Sequence, residues 1–219
     1  MNWIGVITGD IINSTEILNA GQRYKLLQVM HQTVDEMNKQ RNWGELKIDI
    51  YRGDSFQIAC SFPALSVAIA ISFRARLIAC SSKDIRWDAR LGIGVGKGEF
   101  IAKKVTESDG EAFHLSGQAF DQLDKNHLIS VLTPDNDFNT ELKVSTAFVD
   151  DIVSGWTPTQ ADVFYLYFAK ELNQREIAEI EEKSPQAISK MHIAAKSTLI
   201  GNYMTRVTDK ILFISSQKS

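Results

Sequence analysis

The 219-residue sequence predicts an α+β protein, one sheet with helices on one of its faces, followed by a small all-helical domain. Three observations carry this. Up to residue 132 the hydrophobic period switches between two and about 3.6 in the order βαββαβαβ. The stretch ARLGIGVGKG sets glycine on every second residue of a strand, which leaves one face bare. Near residue 155 the character changes, and the chain divides into residues 1–140 and a helical part, 141–219.

Trp3 to Gly9 is apolar and β-branched, the pattern of a buried strand. Asn13 to Gln40 follows as one long helix, with Ala20, Tyr24, Leu27, Met30, Val34 and Met37 on one face. Asn13 and Glu16 have capping-box spacing at its start. Leu46, Ile48 and Ile50 alternate toward RGDS, and Phe56, Ile58 and Cys60 alternate away from it, which predicts a hairpin over 46–60 with Asp54 at its tip.

Ser55 to Phe73 holds no charged residue and is long enough to span a bilayer. Its period changes midway, however: a strand gives way at SFP to a helix with Pro63 in its first turn, and Gln57 and four serines dilute it. A buried strand and a buried helix, running to about Cys80, explain the composition without a membrane. Trp87, Ala89, Leu91, Ile93 and Val95 then share one strand face, and Gly92, Gly94 and Gly96 the other. GIGVGKG fits neither GxGxxG between strand and helix nor a P-loop. A bare face suits close approach by a helix or a ligand, with the helix favoured. Residues 111–124 read as a helix, His127 to Leu132 as a strand, and TPDND as a turn. The whole order predicts a ferredoxin-like, palm-shaped sheet.

Composition excludes little. A net charge of −3 gives no overall pull toward nucleic acid or membrane, but Lys183 to the end holds six Lys or Arg against one acidic residue, Asp209. Cys60 and Cys80 lack CxxC or zinc-ligand spacing and read as reduced core residues of a cytoplasmic protein. The amino terminus lacks a basic segment followed by an apolar one, so no secretory signal is expected. His31, His114, His127 and His192 share no metal-ligand spacing.

In VITGDIINST, Asp10 stands where the first strand stops and a helical pattern begins, and Asp54 has a matching setting at the hairpin tip. A palm sheet can bring these two places together. Two carboxylates near a helix amino terminus suit Mg²⁺ carrying a nucleotide polyphosphate, with the backbone N–H groups of Ile11, Ile12, Asn13, Ser14 and Thr15 facing the phosphates. Either Asp alone fits turn chemistry. The pair favours a metal.

GDIINST resembles the DI-x-x-ST signature that begins class III nucleotidyl cyclase domains, IYRGDSF their second metal signature, and ARLGIGVGKG their RxGIHxG strand. The likeness spans roughly residues 3–132. It implies that Asp10 and Asp54 bind metal, with Mg²⁺ as cofactor, a nucleoside triphosphate as ligand or substrate, and a homodimer. Those enzymes carry Asn and Arg in a helix reading VNxAxR, where FHLSGQ places His114 and Gln118. The arginine that stabilises charge on the reacting phosphate is missing, and the usual base-recognising lysine is Ile50. His114 is the candidate substitute. DGEAFHLSGQAF resembles more closely the SatD family, divergent relatives of the cyclase domain.

From about 157 to 200, NQREIAEI and SPQAIS resemble the helix-turn-helix of sigma factor region 4. That resemblance implies a recognition helix capped by Ser184 with Pro185 in its first turn, Gln186, Ser189 and Lys190 outward and DNA as a partner. Lys196 adds charge for phosphates. Glu181, Glu182 and Lys183 fill a turn that is usually apolar, and such hairpins also dock proteins. Together the resemblances imply a nucleotide- and Mg²⁺-responsive regulator, or else a divergent nucleotidyl cyclase or nucleotidyltransferase.

Overall fold

The structure, a computed structural model, describes residues 2–17, 20–40, 42–51, 54–99, 105 and 109–217. The expected order βαββαβαβ is present. Strands β1 (Asn2–Ile11), β2 (Leu46–Tyr51), β3 (Ser55–Cys60), β4 (Ala89–Gly98) and β5 (Ile129–Leu132) form one mixed sheet in the order β2-β3-β1-β4-β5. The first four pair antiparallel, and β5 runs parallel to β4. Helices α1 (Ala20–Asn38), α2 (Ser66–Ala79) and α3 (Glu111–Asp121) connect the strands. Helices α4 (Asn136–Ser154), α5 (Pro158–Phe168), α6 (Gln174–Ile180), α7 (Pro185–Ala194) and α8 (Ser197–Gln217) follow.

β1 is central because nearly every residue in it can be buried on a pleated surface; it pairs Ile7 with both Ile58 and Ile93. The Ile7 side of the sheet meets α1 and α2 in the main core, with Phe56, Ile58, Leu91, Ile93 and Val95. The charge-free stretch 55–73 is β3 leading into α2, and no helix among the described residues is long and apolar enough to cross a membrane.

The helices do not all lie on one face. A Cβ on Gly5 would sit 1.7 Å from Ser66 Oγ, at the start of α2, whereas one on Gly92 or Gly94 would sit 2.2 Å from backbone atoms of α3. Register sets Gly92 and Gly94 beside Thr8 and Val6, on the opposite side from Gly5. The alternating glycines therefore admit α3 at backbone distance, as the bare strand face predicts, and α3 covers the second face.

The first helix starts later than expected. Asn13 adopts a left-handed backbone, φ 53°, with no side-chain cap, and a 3-10 turn (Ser14–Glu16) precedes α1. The buried stripe of α1 is Leu26, Val29, Met30, Val34 and Met37, while Tyr24 is 64% exposed.

The C-terminal helices continue the core. Val149, Val153, Trp156, Phe164, Tyr165, Ile200, Met204 and Val207 belong to the same cluster as the sheet, and the boundary expected at residue 140 falls inside α4. Val163, Leu166, Ile177, Ala178 and Ile188 form a smaller cluster joining α5, α6 and α7. Caps fix these short helices: Asn173 with Glu176 closes a capping box on α6, and Ser184 accepts from Ala187 N–H on α7. The three helices have the expected order, but α5 is shared with the main core, so they do not stand apart as a separate domain.

Candidate functional site

Asp10 is the penultimate residue of β1, and its cross-strand neighbours are Ser55 on β3 and Arg90 on β4. The period of two sets these three side chains on the α3 side of the sheet, beyond the reach of the main core. Thr8 and Gln57 lie next along that face: Gln57 Nε2 donates to Thr8 Oγ1 at 3.1 Å, and Thr8 Oγ1 lies 2.9 Å from Ser116 Oγ of α3.

The structure brings Asp54 to Asp10. Ile11 N–H donates to the Asp54 carbonyl at 3.0 Å, which continues the β1–β3 ladder into the hairpin. Ser55 Oγ donates to Asp10 Oδ1 at 3.1 Å, and Ser14 Oγ donates to Asp54 Oδ2 at 2.9 Å. Partial burial raises the proton affinity of the Asp10 carboxyl; the Ser55 hydroxyl opposes this, Asp54 adds to it and Arg90 opposes it. The net effect is upward, with burial its largest cause. Arg90 donates Nη2–H to Leu123 O at 3.1 Å and stands 5.2 Å from the Phe120 ring centre. Its buried Nε has no hydrogen-bond partner among the described residues.

This donor set suits a hard cation. Mg²⁺ uses one or two carboxylates and completes its octahedron with water and phosphate oxygens. Asp10 and Asp54 fit that part, and Ser14 and Ser55 orient one carboxylate oxygen each. Among the described residues no group of three or more His, Cys, Asp or Glu could hold a metal, so the protein offers a pair rather than a cage.

Two of the five expected amide donors are consumed. Ile11 N–H serves Asp54 O, Ile12 N–H donates to Asp88 O at 3.1 Å, and the Ile11 side chain is buried. Asn13, Ser14 and Thr15 remain at the head of the 3-10 turn. His114 does not join the aspartates. Ala112, Ser116 and Ala119 are the buried face of α3, and His114, 76% exposed at its side chain, faces out beside Asp109 at 3.5 Å. Gln118 is exposed on the same helix. Arg52 and Gly53 of the hairpin motif lie outside the described residues.

At α7, Gln186 and Lys190 are exposed, Ser189 is half-buried, and Lys196 occupies the turn into α8 with φ 53°. The acidic turn before α7 is partly neutralised, since Lys183 Nζ lies 2.8 Å from Glu181 Oε2. His192 is half-buried, 3.2 Å from Ser197 Oγ and edge-on to Tyr167, as expected of a packed helix residue.

Ser55 and Arg90 lie within the hairpin and strand motifs of the sequence, but the motifs alone give neither a place beside Asp10. The signal exists only after registers are assigned, because each owes its place to standing opposite Asp10 across a strand pair.

The fold is α+β, a five-stranded mixed sheet that brings Asp10 and Asp54 together at the end of its central strand. The chain belongs to the SatD family, whose sequence profile matches residues 3–210. Among curated proteins, none matches the sequence. Similar solved structures include the guanylyl cyclase Cya2, at 16% identity and TM-score 0.44, covering 64% of this chain and 77% of that one. Another is the catalytic core of a rhodopsin-guanylyl cyclase with converted specificity in complex with ATPαS, at 14% identity and TM-score 0.46, covering 65% and 82%.

Proposed function

We propose that the protein is a nucleotide-responsive regulator whose palm binds Mg²⁺ together with a nucleoside triphosphate. The observation that carries this reading is the setting of Asp10: a second carboxylate, Asp54, on one side and the Arg90 guanidinium on the other. The carboxylates would hold the cation, and the Arg90 guanidinium, set opposite Asp10 across the β1–β4 pair, would meet phosphate. Asn13, Ser14 and Thr15 are the backbone contribution. A pair of carboxylates suits a cation that arrives with phosphate oxygens better than a free one.

The output side of the proposal is α7, where Gln186, Ser189 and Lys190 together with Lys196 would contact DNA. Such a complex is salt-sensitive and weakens when Lys190 and Lys196 become alanine. Absence of any retarded DNA, with or without nucleotide, would remove the DNA half and leave a protein partner for the same helix. A homodimer is part of the reading, and sedimentation velocity measures it directly.

A second reading, a divergent nucleotidyl cyclase or nucleotidyltransferase, draws on Arg90, which stands opposite Asp10 across a strand pair, whereas Gln118 and His114 are exposed on α3. Isothermal titration with ATP and GTP in Mg²⁺, wild type beside an Asp10→Ala, Asp54→Ala double variant, separates the cases when the cell contents are then analysed for products. Binding lost in the variant without product supports a regulator. New cyclic or oligomeric product makes the protein an enzyme, and turnover unchanged in Asp10→Asn ends that alternative.

A further inference from the structure

Helix α2 is buried along nearly its whole length, and one of its buried positions is an arginine. Arg74 is 0% exposed and uses its planar fork in three directions. Nε and Nη2 grip Asp88 at 2.7 and 2.8 Å, Nη1 reaches Asp150 of α4, and Nη2 also donates to Ser154 Oγ of α4 at 3.0 Å. Asp88 and Asp150 are themselves buried.

Each carboxylate passes the constraint on. Asp150 Oδ2 accepts the backbone N–H groups of Leu128 and Ile129, where β5 begins. Asp88 Oδ1 accepts Ala89 N–H at 2.8 Å, which fixes the start of β4, and the Asp88 carbonyl accepts Ile12 N–H. Arg86 lies 3.6 Å from the same Asp88 carboxylate and donates to Ser154 O and Trp156 O, on the path from α4 to α5. A continuous polar chain thus runs from Ile12, two residues beyond Asp10, through Asp88 and Arg74 to α4 and the start of α5.

A buried ion network is a poor way to gain stability, since well-packed apolar residues of similar volume often do as well or better. What it supplies is geometry, because a planar fork with fixed donors sets the relative positions of the segments it joins. We propose that Arg74 is a positioning residue: through Asp88 it holds the backbone at Ile12 in place, and through Asp150 and Ser154 it ties that point to α4, so that the loop at residues 11–15 and α4 change state together. The proposal rests on the reading of that loop as part of a Mg²⁺–nucleotide site, and it names how the site's occupancy reaches the C-terminal helices.

Amide hydrogen exchange on the ligand-free protein tests the coupling directly. Arg74→Lys keeps the charge and removes the fork. Tyr203→Phe, which deletes the 2.6 Å bond from α8 to Thr146 of α4, loosens the same helix outside the chain. Exchange about ten-fold faster in Arg74→Lys, at both residues 11–17 and the second half of α4, is expected, with Tyr203→Phe changing α4 alone. Faster exchange at α4 with residues 11–17 unchanged would overturn the proposal. Should Arg74→Lys not fold, Ser154→Ala carries the same comparison, because it removes one link and leaves every charge. In Mg²⁺–ATP titrations, affinity at least ten-fold weaker is expected for the Arg74 variant and not for the Tyr203 variant. A wild type that binds no nucleotide would sink the proposed function, while the exchange comparison would still decide the coupling.

Discussion

Ser14 donates its hydroxyl to Asp54 at 2.9 Å, and so closes the gap between the turn after β1 and the tip of the β2–β3 hairpin. The two segments are 40 residues apart in sequence. Ser14→Ala removes this bond at a cost of about 1 kcal/mol in chemical denaturation. Mg²⁺–nucleotide affinity in the variant is expected to fall several-fold in calorimetry.

Asp10→Asn is expected to raise the melting temperature without Mg²⁺ and to lose any Mg²⁺–nucleotide stabilisation. Burial and Asp54 raise the folded-state proton affinity of Asp10 above its unfolded value. The stabilisation from protonation is present below the unfolded value near 3.8 and is lost as pH rises through the folded value, so an ionised Asp10 is a liability at neutral pH. Scanning fluorimetry with and without Mg²⁺–ATP measures both halves. A lower melting temperature in the variant would mean that the carboxylate is already satisfied.

A second carboxyl gives a defined pH window. Burial, with a hydrogen bond and repulsion from Glu181, pushes Asp162 up to about 6, against Arg76 at 3.2 Å. Because the folded value exceeds the unfolded 3.8, stability is expected to decline as pH rises from about 4 through about 6. Asp162→Asn removes most of that slope, as urea midpoints at pH 4.5 and 7.5 would reveal.

Two glycine substitutions carry opposite signs. Gly94→Ala would drive a methyl to within 2.2 Å of backbone atoms in α3, neither of which can yield without moving the helix. A loss of at least about 3 kcal/mol is expected, or no folding. Gly117, inside α3, has nothing within 4 Å of such a methyl, so Gly117→Ala should stabilise by about 0.5–1 kcal/mol.

Cys60 is buried, and its thiol is pushed up to about 12, so it stays a thiol at any physiological pH. Alkylation of the folded protein at pH 8 is expected to label the half-buried Cys80 first, with Cys60 labelled only on unfolding.

The elements legible in the sequence are those that one period decides. Strands such as 89–98 announce themselves by alternation, and the glycine face of β4 announces its helix. The convergence of Asp10 and Asp54 was legible too, because a short hairpin beside the first strand leaves few other places for its tip. Local geometry was not. Asn13 spaced three residues before Glu16 looks like a cap, yet its backbone is left-handed, its side chain makes no cap bond, and it precedes a 3-10 turn instead of α1. His114 and Gln118 sit on the right helix, but phase decides their direction, and Ala112, Ser116 and Ala119 take the face that the glycines admit. Arg74 was hidden for a different reason. Nothing local in RARLIAC tells that the first arginine is buried, because its partners lie 14 and 76 residues away.

The strand order leaves β2 and β5 at the margins of the sheet. β5 has only four residues, and β2 carries Lys47 and Asp49 on alternate positions, so neither margin offers a long apolar template to a passing chain. Growth by strand addition is thereby discouraged at both margins.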